Sequence, residues 1–264
     1  MDFPDISPII FEIGPIAIRW YSLAYLVGIV VAWLLATWNI KKYKSVVTKE
    51  MLEDLAFYST LGIILGGRLG YVLFYGGDMF WKNPLQILAI WQGGMSFHGA
   101  LLGVIVGILF CARKNKVGYF VMNDLVALYA PIGIFLGRLA NFVNDELWGR
   151  VTDVAWAVKF PSGGYLPRHP SQLYEALAEG LLMFVILNIL WQFKWVRERR
   201  GFVSCMFAII YAVSRMVMEQ FREPDAHLGF FFGSFTMGQL LSMPLLLAGI
   251  GFGLWLSLRK PKLL

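Results

Sequence analysis

The sequence predicts an all-α polytopic membrane protein, and three observations carry that reading. Hydrophobic residues make up 58% of the 264 residues and charged residues 15%, with a mean hydropathy of +0.63, far from the mix of a soluble domain. Seven apolar runs follow one another along the chain, each long enough to cross a hydrocarbon core that takes about 20 helical residues. The basic residues sit in short blocks between these runs and not along amphipathic helices, so the net charge of +6 records orientation in a membrane and gives no sign of a nucleic-acid partner. The whole chain, 1–264, is expected to be one transmembrane domain with no room for a separate soluble one.

The seven expected spans are 16–38, 55–74, 96–112, 119–137, 173–193, 201–218 and 235–258. The fourth carries Asn123 and Asp124 near one end and Pro131 in its middle, features that a packed bundle accommodates better than a lone helix does. Residues 1–15 contain Asp2, Asp5 and Glu12 but no Lys or Arg. They lack the basic opening of a cleavable signal peptide, so the first span is expected to stay in the protein.

Four blocks hold fourteen of the 23 Lys and Arg: Lys41, Lys42, Lys44 and Lys49; Arg113, Lys114 and Lys116; Lys194, Arg197, Arg199 and Arg200; Arg259, Lys260 and Lys262. If the spans alternate, all four fall on one side, which places the N-terminus outside and the C-terminus in the cytoplasm. The stretch 138–172 then faces outward as a cap loop, with turn-rich sequence at 161–165 and 167–170. Glycines recur four apart at Gly62, Gly66 and Gly70, at Gly99, Gly103 and Gly107, and at Gly133 and Gly137, a spacing that lets helix backbones approach closely.

Cys111 and Cys205 lack CxxC spacing and each lies near a basic block, so a disulfide is not expected and core packing is the plainer role. His98, His169 and His227 are too scattered to give metal-ligand spacing. HExxH, GxSxG, P-loop and dinucleotide-binding motifs are missing as well, so no metal or cofactor is expected.

An ionisable side chain at membrane depth costs about 2.5–3.5 kcal/mol on insertion scales, so each needs a partner, a wet cavity or a task. Arg68, His98, Arg138, Glu175, Glu179, Arg215 and Glu219 all fall in spans or at their ends. All but Glu179 lie toward the outward ends, where they are expected to converge on one outer-leaflet cavity. In the sixth span Tyr211, Arg215 and Glu219 share a helical face, with Arg222 one turn further on. Arg215 reads either as half of an ion pair with Glu219 that fixes packing or as a functional cation. Two arginines near an outer leaflet suit a phosphodiester ligand, since guanidinium grips phosphate oxygens bidentately and stays charged. His98 is either a hydrogen-bonded anchor or a group that moves a proton near neutral pH.

The run Gly137-Arg-Leu-Ala-Asn-Phe-Val-Asn-Asp-Glu-Leu-Trp-Gly149 resembles the signature of the prolipoprotein diacylglyceryl transferases throughout its thirteen positions. Arg19-Trp-Tyr-Ser, Gly66-Gly-Arg-Leu-Gly-Tyr71, Gly93-Gly-Met-Ser-Phe-His-Gly99, Leu166-Pro-Arg-His-Pro-Ser-Gln-Leu-Tyr-Glu175 and the stretch 215–225 are similar to the family too. The likeness runs from about residue 8 to the last span. Ala100 departs from it, standing where a second glycine is expected after the histidine.

The resemblance implies transfer of the diacylglyceryl group of phosphatidylglycerol to the lipobox cysteine of a prolipoprotein, releasing glycerol phosphate, in the bacterial inner membrane with the active site toward its outer face. The nucleophilic thiol then belongs to the substrate, a signal peptide anchored among the same membrane lipids. By the same resemblance Arg138 and Arg215 bind phosphate, His98 is essential, and Tyr21, Asn141 and Glu146 contact the headgroup. The catalytic set expected is thus His98, Arg138 and Arg215. The substrate-binding set is Arg138, Tyr21, Asn141, Glu146 and Gly149 with Glu219 and Arg222. A transporter would place ionisable groups in both halves of the membrane, whereas here Asp124 is nearly alone toward the cytoplasm.

Overall fold

A computed structural model describes residues 1–14, 16–77, 83–89, 93–224 and 235–258. The predicted positions His227, Arg259, Lys260 and Lys262 lie outside them. Helices dominate: α1 (Trp20–Lys42), α2 (Lys49–Tyr75), α3 (Phe97–Lys114), α4 (Tyr119–Val143), α5 (Ser171–Trp191), α6 (Phe202–Met218) and α7 (Met237–Leu258). All but α6 are long and apolar enough to cross a membrane, and α6 is an apolar helix of 17 residues. Leu26, Leu34, Leu65, Leu69, Leu102 and Phe110 are exposed along α1 to α3. Such a density of outward apolar side chains is disfavoured in water and belongs against lipid. The protein is a helical, multi-pass membrane protein.

Two compact units divide the chain, Met1–Leu34 with Asp124–Leu264, and Leu35–Asn123. In the second unit α2 and α3 pack backbone to backbone. A Cβ on Gly62 would stand 2.2 Å from the Gly103 carbonyl oxygen, and one on Gly66 would stand 2.3 Å from that of Gly99, so the four-residue glycine spacing is a contact stripe on both helices. Thr48 and Ser96 cap the two helices, their hydroxyls accepting from the Met51 and Gly99 amides at 3.3 Å each. The pair Gly133 and Gly137 differs from that stripe, because a Cβ on either meets nothing within 4 Å among the described residues.

In the first unit α1 meets α4 where a Cβ on Gly28 would lie 3.3 Å from the Gly133 Cα. Leu128, Phe160, Met183, Leu187, Val203 and Ala212 are fully buried in this unit. Asp124, near the start of α4, anchors the start of α6: its carboxylate accepts from the Gly201 amide at 2.6 Å and from the Ser204 amide and hydroxyl at 2.9 and 2.6 Å. Asp124 therefore has a capping role at buried helix amides, which removes the reason to place it on a transport path.

Two of the boundaries that differ from the sequence reading bear on the site. The first expected span begins four residues early, because 16–19 is strand β2 (Ile16–Arg19), paired antiparallel with β1 (Ile9–Ile13). Its apolar Ile16, Ala17 and Ile18 lead into α1 with Arg19 as the single charge between, which hid the strand, and Gly14 takes φ +58° between the strands. The fourth span was expected to end at 137, but α4 runs on to Val143, since nothing in Leu139-Ala-Asn-Phe-Val143 breaks a helix. Arg138 and Asn141 thus sit on a helix and not in the loop. Positive φ at Asp145 and Leu147 turns the chain into the segment that follows. That segment holds a second small sheet, β3 (Val158–Lys159) against β4 (Pro167–Arg168), and an aromatic cluster of Phe3, Phe142 and Phe160.

Candidate active site

Helix α5 departs from α geometry over Ala176–Leu182, which is a π segment. Such one-turn insertions re-aim side chains and are frequent at functional sites. Here the segment follows Glu175 and contains Glu179, which are 1% and 0% exposed. Both carboxylates point at arginines. Arg138 Nη1 lies 2.8 Å from Glu175 Oε2, and Arg138 Nη2 donates to Glu179 Oε2 at 3.0 Å. One planar guanidinium thereby bridges two carboxylates from the neighbouring helix.

Arg215 of α6 enters the same cluster, 3.4 Å from Glu175 Oε1, 3.8 Å from Glu179 Oε1 and 2.8 Å from Glu219 Oε2. The pair with Glu219 anticipated from the i,i+4 spacing is present, but it is one arm of a larger network. Arg222 completes it at 3.7 Å from Glu175 Oε1. Arg138 and Arg215 retain 17% and 13% side-chain exposure, so this cluster of opposite charges is nearly dry yet open at an edge.

A second polar chain runs from α1 to the segment after α4. Asn141 Nδ2 donates to the Tyr21 hydroxyl and to Glu146 Oε1, the latter at 2.8 Å, and Gln172 Nε2 donates to the Glu146 carbonyl at 2.6 Å. Gly149 is backbone-locked. Its amide donates to the His169 carbonyl at 2.9 Å, it bridges Arg222 in antiparallel fashion, and a Cβ there would stand 2.5 Å from the Phe221 carbonyl oxygen. Arg150 Nε donates to the Arg222 carbonyl at 3.0 Å, which ties the segment to the end of α6.

The structure brings Arg138, Arg215, Glu219 and Arg222 into one cluster, and Tyr21, Asn141 and Glu146 into one hydrogen-bonded chain. His98 and Arg68 belong to the other unit. His98 is the second residue of α3, exposed, with its ring edge-on to Phe97 at 5.6 Å between centroids. Arg68 is buried and holds a loop, donating to the carbonyls of Ile87, Gly93 and Gly94 at 2.9, 2.6 and 3.2 Å. Arg68 serves local structure there. Of the central carboxylates, Glu175 was expected at the outer cavity but in neither the catalytic nor the substrate-binding set, and Glu179 was read only as an ionisable group within a span. Their spacing of four in an otherwise apolar helix was the available signal.

The arrangement presents fixed guanidinium groups at membrane depth with their charge balanced by carboxylates. Such a constellation suits an anionic headgroup, whose phosphate oxygens two or three arginines hold while charge develops on them. The family model that describes the prolipoprotein diacylglyceryl transferases matches residues 8–255. The chain belongs to that family. It is similar to the phosphatidylglycerol--prolipoprotein diacylglyceryl transferase of Paramagnetospirillum magneticum, 49% identical over 261 residues that cover 98% of this chain and 97% of that protein. The proteins of the same name from Mannheimia succiniciproducens and Rickettsia felis are 51% and 49% identical, over 95% and 94% of this chain and 92% and 96% of theirs.

Proposed function

We propose that this chain transfers the diacylglyceryl group of phosphatidylglycerol to a prolipoprotein thiol. The observation that carries the reading is full-length similarity to enzymes named for that reaction, joined to a buried cluster of three arginines suited to a phosphodiester. In the reaction the cysteine sulfur attacks the glyceryl carbon bonded to the phosphate oxygen. A carbon–sulfur bond forms, the carbon–oxygen bond breaks, and glycerol phosphate leaves with the bonding pair. Arg138 and Arg215 stabilise the charge that builds on the departing phosphate oxygens. Tyr21, Asn141 and Glu146 orient the headgroup, Glu219 holds Arg215, and the bridge between Gly149 in the segment after α4 and Arg222 beyond α6 closes the site.

A free thiol with pKa about 8.5 is a few per cent thiolate at neutral pH, so a base raises the nucleophilic fraction. His98 is the expected acceptor of that proton. A His98→Gln enzyme with near-normal turnover at every pH would overturn this assignment.

The orientation proposed has seven spans, with α6 as the short sixth, the N-terminus outside and the C-terminus cytoplasmic, in the bacterial inner membrane. Residues 144–170 then cap an outward-facing site that both reactants reach sideways from the bilayer. The lipobox cysteine of a membrane-anchored signal peptide is the thiol.

The test incubates purified protein in phosphatidylglycerol micelles with a lipobox peptide and seeks a diacylglyceryl adduct by mass spectrometry. A cysteine-dependent adduct with release of glycerol phosphate is expected. No adduct from folded protein with both substrates intact would reject the reading.

A further inference from the structure

The ion cluster is formally balanced, with Arg138, Arg215 and Arg222 facing Glu175, Glu179 and Glu219, but the three carboxylates are not equivalent. Glu179 accepts a hydrogen bond from Arg138 at 3.0 Å through Oε2, and Glu219 pairs with Arg215 one helical turn away at 2.8 Å; each of these carboxylates has one buried oxygen that accepts no aligned hydrogen bond among the described residues, Glu179 Oε1 and Glu219 Oε2. Glu175 meets all three guanidiniums, at 2.8, 3.4 and 3.7 Å. Even so, neither of its oxygens accepts an aligned hydrogen bond among the described residues, although the side chain is 1% exposed. Arg215 Nη1 is likewise buried with no hydrogen-bond partner there. A buried carboxylate is costly unless its oxygens are hydrogen-bonded. An unsatisfied one at the meeting point of three guanidiniums occupies a place suited to a better-matched anion.

We propose that Glu175 is a placeholder counter-ion: it keeps the three guanidiniums converged when the site is empty and yields its ion pairs to the phosphodiester when lipid enters. It acts through the arginines and is a positioning residue, not a catalytic one. Its tether to α5 makes it an intramolecular competitor at high effective concentration. That competition falls hardest on the product. Phosphatidylglycerol is held nearby by its acyl chains, whereas glycerol phosphate has no such anchor and is displaced as Glu175 returns. The carboxylate therefore gives up some affinity for phosphate in exchange for release.

The proposal rests on the transferase reading, and one variant tests it with two readouts. In the micelle assay Glu175→Gln is expected to lower the apparent KM for phosphatidylglycerol about 3-fold and to tighten inhibition by added glycerol phosphate about 10-fold, the scale of one lost competing charge-assisted contact, with kcat falling as product leaves slowly. Glu179→Gln loosens Arg138 without vacating the meeting point, so its KM rises and inhibition by glycerol phosphate does not tighten. A Glu175→Gln enzyme with unchanged or weaker affinity for both would overturn the proposal. Calorimetric titration of glycerol phosphate into wild type and Glu175→Gln reads the same competition without transfer. A gain in binding there, with no adduct formed by wild type, would reject the transferase reading and keep the placeholder. If Glu175→Gln does not fold, Glu175→Asp retracts the carboxylate by one methylene and is expected to shift KM and inhibition in the same direction. If neither folds, Glu175 is a structural counter-charge and the placeholder role is wrong.

Discussion

Gly180 lies so close to Phe135 that a Cβ on it would stand 2.6 Å from the Phe135 Cβ and 2.7 Å from its Cα. This contact sets the spacing of α4 and α5 one residue from Glu179 and three residues from Arg138, the pair joined at 3.0 Å. Geometry at the arginine is therefore set by a missing side chain in the helix interface.

Gly180→Ala is accordingly expected to force the helices apart, at a cost of about 1–3 kcal/mol for overpacking. Because the displaced pair is Arg138 and Glu179, turnover should fall more than stability explains. Denaturation in detergent and transfer rate per folded molecule, measured on one preparation, separate the two effects. Normal turnover from the folded variant would show that the Arg138–Glu179 spacing does not govern the reaction.

Arg138→Lys should lose transfer by about 10²-fold or more, in line with removal of a preorganised charge-stabilising donor. Different nitrogens of Arg138 serve Glu175 and Glu179, and one ammonium cannot span both with the planar fork. Lysine keeps the charge, so the variant should stay folded. Arg138→Ala leaves two buried carboxylates short of a partner and carries a further cost of about 3–5 kcal/mol. Thermal unfolding of the two variants beside their rates checks the distinction.

Much of this arrangement was legible in the sequence because lipid makes polar residues conspicuous. Arg138, Asn141, Glu146 and Gly149 stand out at a span end, and Arg215, Glu219 and Arg222 follow a helical face. Less visible was what lies between them. Glu175 and Glu179 looked like two expensive carboxylates, and only the packing of α5 against α4 and α6 shows that they link the arginines. The π segment at Ala176–Leu182 leaves no compositional trace, since a one-residue change of helical pitch is settled by tertiary contacts. The β1–β2 hairpin escaped because Ile16, Ala17 and Ile18 suit a strand and a membrane helix alike.

His169 should make stability depend on pH. Its Nδ1 lies 3.2 Å from the Tyr174 hydroxyl, which accepts from Trp156 Nε1 at 2.6 Å, and its ring packs edge-on to Phe221. With that hydroxyl accepting from Trp156, its proton is free to go to a neutral His169. Burial lowers the pKa of His169 below the ordinary histidine value. The unfolded chain then binds the proton more readily, so this contribution to stability is full above about pH 6.5 and is lost as pH falls toward the lower folded value. Wild type should lose more melting temperature than His169→Gln between pH 7.5 and about pH 5. Parallel curves would remove His169 as the cause.

Asp124→Ala should separate folding from chemistry. The Asp124 carboxylate takes the Gly201 and Ser204 amides at the start of α6, and loss of such a cap costs about 0.5–2 kcal/mol. Because α6 carries Arg215, fraying at its first turn weakens the helix without touching the cluster more than two turns further along. The variant should therefore unfold at lower temperature and denaturant, yet transfer at the wild-type rate per folded molecule below its transition. Asp124→Asn keeps an acceptor for one amide and should fall between. If folded Asp124→Ala lost transfer, Asp124 would lie on the path of a reactant or proton, and its capping role would not be the whole account.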